Sequence, residues 1–147
     1  MQRKRLFNIE GNDELINRRM IKGNVTNLFN LNNVKYQWAN KLYRLMMENF
    51  WIPEKVSLFD DKRAYAELSP SEQKAYDGIL SFLVFLDSIQ TNNLPNISDY
   101  ITAPEVNLIL AIQTYQEAVH SQSYAYIIES IIPVSYTHLR AHETCAD

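Results

Sequence analysis

Glu117-Ala118-Val119-His120-Ser121-Gln122-Ser123-Tyr124 decides how this chain is read, because it places a carboxylate, an imidazole and a phenol within one helical run. Glu117 and His120 are three apart and His120 and Tyr124 four apart, so on a helix the three side chains share a face, one turn above another. Helical steps toward the N-terminus extend the row to Gln113 and Leu110, while Leu108, Ile109, Ile112, Ile127 and Ile128 flank it. A buried carboxylate needs a partner, and a cation is the usual remedy besides an ion pair. Inside a helix bundle a Glu-x-x-His pair can reach one metal or two adjacent metals. Carboxylate oxygens with imidazole suit iron and manganese better than the thiolate-rich sets that favour structural zinc. The same spacing also occurs on solvated helix faces, where it holds nothing.

Working outward, Thr102 as N-cap, Pro104 in the first turn and Glu105 closing a capping box predict a helix start, and the run continues to about Ile132. At about 1.5 Å per residue this helix is roughly 40 Å long. Ser69, Pro70 and Glu72 repeat the starting device for a helix that should reach about Thr91. Residues 79–89 are apolar almost all round, which predicts burial on most sides. Asp87 breaks that pattern among Leu83, Val84, Phe85, Leu86 and Ile89. It either joins the polar row or, near a helix end, faces solvent or caps a turn. Over residues 34–50, Tyr36, Trp38, Ala39, Leu42, Leu45, Met46 and Phe50 make one apolar stripe, which the residue before Pro53 brings to an end. Residues 12–22 are compatible with a short helix with few apolar anchors. Three glycines and a helical period in both long apolar stretches give an all-α class.

A chain of 147 residues, 46% hydrophobic, can bury one ordinary core. A net charge of -3 exerts no overall pull toward nucleic acid, and Arg3, Lys4 and Arg5 read as a solvated end. No apolar run approaches the roughly 18 residues of a membrane span. The basic start leads into Leu6-Phe7-Asn8-Ile9-Glu10 instead of a signal-peptide core, so a cytoplasmic protein is expected. Cys145 is the one cysteine, which excludes an intrachain disulfide.

Phe85-Leu86-Asp87-Ser88-Ile89-Gln90, then the stretch from Glu117 to Tyr124, with Asn49-Phe50-Trp51-Ile52-Pro53-Glu54 upstream, closely resembles the small subunit of class I ribonucleotide reductase. The resemblance covers roughly residues 34–133. It implies a ferritin-like four-helix-bundle fold, here truncated, in which Asp87, Glu117 and His120 are the first-half ligands of a site for two iron or two manganese ions. Tyr124 would bear the radical and Trp51 would relay electrons to the surface. The implied partners are a second copy of the subunit and the catalytic large subunit, which uses the radical to make deoxyribonucleotides. Other readings of the same residues stay open. Tyr124 can be a core tyrosine with a satisfied hydroxyl, and Trp51 a simply buried indole. The chain can belong to another ferritin-like di-metal carboxylate oxidase, which needs no relay. It can also be a metal-free helical interaction module, in which Asp87, Glu117 and His120 pair with one another or with lysines.

The pattern departs from the family in two ways. A ferritin-like carboxylate site also needs a second Glu-x-x-His and a further Glu, and neither appears in a suitable context. The chain by itself is therefore expected to be inactive. The sequence also changes character at Val134, so residues 1–133 read as the family portion and 134–147 as a tail that is not native protein. Within that tail His138 and His142 are four apart beside Glu143, a spacing that can hold zinc, but the order is not His-Glu-x-x-His and no third ligand is evident.

Overall fold

The computed structural model describes residues 3–133, so the tail from Val134, with His138, His142 and Cys145, lies outside the described residues. Four α-helices order the chain: α1 (Gln37–Glu48), α2 (Phe59–Glu67), α3 (Pro70–Ser98) and α4 (Pro104–Ile131). Among the described residues they are joined by two single 3-10 turns and one isolated antiparallel bridge, Ile21 with Ile101, so the all-α class holds. The described residues divide into two compact units, one of residues 3–50 with Gln90–Gln116, the other of Trp51–Ile89 with residues 117–133. No helix among the described residues is long and apolar enough to cross a membrane.

The core of the first unit is Ala39, Ala103, Val106 and Ile109, with Met20, Tyr36, Tyr43 and Met46 packed against it. Ala39 lies on the apolar stripe that the sequence pattern assigned to α1, and it is fully buried. The short helix expected over residues 12–22 is reduced to one 3-10 turn, Leu15–Asn17. Its polar groups bond elsewhere: the Asp13 carboxylate accepts from the Thr26 backbone N–H at 3.0 Å and from its hydroxyl at 2.6 Å. Such side-chain bonds offer the backbone an alternative to the helical ladder. Glycine is needed at Gly11, where a Cβ would collide with the Val25 carbonyl.

The start of α4 is right in position and different in chemistry. The Thr102 hydroxyl accepts the Gly23 N–H and donates to the Arg19 carbonyl, each at 2.8 Å, so it fastens the N-terminal segment and does not cap its own helix. Glu105 does not close a box either. Its buried carboxylate accepts from the backbone N–H groups of Lys35 at 2.9 Å and Tyr36 at 3.0 Å, and it pairs with the fully buried Arg18 at 3.8 Å. Packing against the incoming chain outcompetes local capping here.

In the second unit α3 begins as expected. The Ser69 N–H donates to Glu72 at 2.8 Å and the Glu72 N–H donates to the Ser69 hydroxyl at 3.4 Å, a reciprocal capping box. The Ser69 hydroxyl and N–H hold the Glu72 carboxyl below its ordinary range. A depressed carboxyl contributes stability that is complete above its unfolded value and fades as pH falls through the lowered folded value. The melting advantage of the parent over Glu72→Ala is therefore expected to shrink below the ordinary glutamate range, as circular dichroism melts from neutral to acid pH would show.

Three features of this region were not legible. The helix α2 is polar nearly all round, with only Tyr65 buried, so it carries no periodic stripe. It is docked by a hydrogen bond from the Tyr65 hydroxyl to the buried Asp77 at 2.9 Å. Helix α3 does not stop near Thr91 but runs through Pro95 to Ser98. Pro95 forgoes the backbone bond that an N–H at its position would make, and packing offsets that loss, since Leu94 beside it is only 4% exposed. Finally, the all-round burial expected over residues 79–89 is not met: Ile79, Phe82 and Phe85 are each more than half exposed. Apolar spacing says which positions seek cover and not what supplies it.

Candidate metal centre

Asp87 from α3 and Glu117 and His120 from α4 meet in the second unit. Each offers a ligand atom within 4.8 Å of the others, and this is the one such group of three among the described residues. The His120 Nδ1 lies 3.2 Å from a Glu117 carboxylate oxygen and 3.6 Å from an Asp87 oxygen. Both carboxylates are 14% exposed at the side chain and the imidazole 43%. Asp87 thus joins the polar row and does not face solvent. Two carboxylates and one imidazole make a hard donor set that fits iron or manganese. They come from two helices, whereas a ferritin-like di-metal site draws on four.

Tyr124 stands one turn beyond His120 and hydrogen-bonds to Asp87. Burial pushes its phenol up to about 12, helped by the bond to Asp87 and by the negative charges of Asp87 and Glu117. The phenol is therefore neutral at physiological pH, and removing an electron from it must also release a proton. Trp51 sets its indole 6.4 Å from the His120 ring, centroid to centroid and tilted by 39°. It is 39% exposed, so it is not a simply buried core aromatic.

All five residues singled out in the sequence thus fall within one neighbourhood of the second unit. Two others were not anticipated. Gln122 Nε2 donates to the Glu54 carboxylate, and the Tyr126 hydroxyl donates to the Val56 carbonyl at 3.0 Å. Both contacts bridge about seventy positions of sequence, and a polar residue on an exposed helix face carries no signal of such a partner.

The family described as ribonucleotide reductase, small chain, matches residues 28–145. That match runs past Pro133 into residues 134–145, which the sequence pattern alone was expected to leave outside the family. The ribonucleoside-diphosphate reductase subunit beta of Treponema pallidum is 59% identical over 131 residues, which are 89% of this chain and 37% of the relative. The ribonucleotide reductase R2 subunit from Clostridium botulinum superposes with a TM-score of 0.85 at 49% identity, over 92% of this chain and 42% of that one. The dimanganese(II)-NrdF of Streptococcus sanguinis shares the fold at a TM-score of 0.70 and 19% identity, over 74% of this chain and 38% of its own. This chain therefore spans only about two fifths of the length of each of these three proteins.

Proposed function

Because this chain belongs to the ribonucleotide reductase small-chain family, we propose that it is part of the radical-generating small subunit of a ribonucleoside-diphosphate reductase, with Asp87, Glu117 and His120 as metal ligands and Tyr124 as the radical site. Two carboxylates and an imidazole converging within 4.8 Å, with a phenol bonded to one of those carboxylates, carry this reading. When bound, a pair of iron or manganese ions supplies the power, drawn from oxygen or a reduced oxygen species, to take one electron from a nearby phenol. The chain's own residues do the rest. Asp87 and Glu117 bring negative charge that offsets the cations, and His120 adds a neutral donor. Tyr124 gives up its electron and sends its proton along the hydrogen bond toward the Asp87 carboxylate. The exposed Trp51, packed beside His120, carries electrons between the surface and this site.

In this reading the whole protein works in the cytoplasm as a homodimer and hands the radical to a large catalytic subunit. Electron paramagnetic resonance tests it. The native protein, loaded with iron or manganese and exposed to oxygen, is expected to give a tyrosyl radical signal. Tyr124→Phe removes that signal and the reduction of ribonucleoside diphosphates with the large subunit, and it leaves metal content unchanged. Ribonucleotide reduction that persists in Tyr124→Phe would overturn the assignment of the radical to Tyr124, whereas a metal-loaded parent with neither a radical signal nor ribonucleotide reduction would place the chain among di-metal oxidases that need no relay.

A further inference from the structure

We propose that Gln122 and Tyr126 are positioning residues, which strap the segment of residues 51–56 onto α4 and so fix Trp51 against His120. The inference rests on the reading of Trp51 as an electron relay.

The segment has little of its own to hold it. It contains one 3-10 turn, Pro53–Lys55, and leaves Trp51, Glu54 and Val56 exposed, with Pro53 as its buried residue. Helix α4 grips it at two points. Gln122 Nε2 donates to Glu54 Oε1, and the Tyr126 hydroxyl donates to the Val56 carbonyl at 3.0 Å. Gln122 and Tyr126 are four apart, so they rise from one face of the helix. Their partners are two apart in the strapped segment, and Trp51 lies three residues before the first of them. The neighbouring serines take no part: Ser121 donates back to the Glu117 carbonyl and Ser123 to the Val119 carbonyl. Gln122 is the residue of this triplet that reaches outward.

Electron transfer falls steeply with distance, so a relay whose indole sits on a loosely held segment needs its position fixed from outside. Neither contact touches the indole or the ligand atoms. Each acts through the backbone that follows Trp51.

The test uses the 147-residue chain in a Trp38→Phe background, which leaves Trp51 as the sole indole. Acrylamide quenching reports access to Trp51, and nuclear Overhauser contacts report its approach to the His120 ring. Gln122→Glu sets two carboxylates face to face, and Tyr126→Phe removes a donor. Losing one hydrogen bond of ordinary net strength shifts the docked-to-undocked ratio by about five-fold. Both variants are expected to raise quenching and weaken the Overhauser contact, with helix content unchanged. Glu54→Gln alone keeps an acceptor and behaves as the parent. Combining Gln122→Glu with Glu54→Gln reverses donor and acceptor and restores the parent values. Parent values in both single variants, or no recovery in the combined one, would overturn the proposal. These readouts need no metal, so they stand apart from the radical chemistry. If Trp51→Phe sustains radical transfer in the native protein, the relay reading fails while the fluorescence still decides whether the strap exists.

Discussion

Glu105→Ala is expected to unfold the first unit well before the parent melts. Glu105 is 1% exposed and faces Arg18, which is 0% exposed, so the substitution leaves a guanidinium in the interior without its counter-charge. Breaking a buried pair from one side costs about 3–5 kcal/mol. That is a large share of the roughly 5–15 kcal/mol that stabilises an ordinary domain. The backbone N–H groups of Lys35 and Tyr36 lose their acceptor as well. A fall in melting temperature of about 10 °C follows at the size of this chain. The charge and the acceptor can be separated. Glu105→Gln keeps an acceptor but strands Arg18, and adding Arg18→Met removes the stranded charge and should recover most of the loss. Thermal melts of the three variants read the balance, and a parent-like melt for Glu105→Ala would show that the pair holds nothing.

His120→Ala, Glu117→Ala and Asp87→Ala are each expected to weaken manganese binding. Each removes one of three donors that converge within 4.8 Å. Losing an outer partner of a metal ligand costs about 10–100-fold in affinity, and losing a ligand itself should cost at least the upper end of that range. Manganese(II) titration of each variant against the parent measures it. The fold should survive, because none of the three lies in the buried core, and removing either carboxylate also relieves its repulsion with the other.

Much of this centre was legible because helical spacing is a geometric constraint. Glu117, His120 and Tyr124 had to share a face once the run was helical, and Asp87 stood out as an acid in an apolar stretch. The capping box at Ser69 and Glu72 was equally local and appears as read. What escaped depends on partners distant in sequence. Glu105 carries the signature of a capping box, but its carboxylate turns to Arg18, Lys35 and Tyr36, some seventy positions or more away. Thr102 likewise serves Arg19 and Gly23. The strap from Gln122 to Glu54 joins two exposed polar residues that spacing cannot connect. The exposed Ile79, Phe82 and Phe85 show the same limit from the apolar side.

The most direct measurement is the electron spin echo spectrum of manganese(II) bound to this chain. Its three histidines are His120, His138 and His142, so an imidazole nitrogen coupled to the ion can be assigned by substitution. Modulation from one imidazole is expected, lost in His120→Gln and retained when His138 and His142 are both replaced. Nitrogen modulation that survives His120→Gln, or bound manganese with no nitrogen coupling at all, would contradict it.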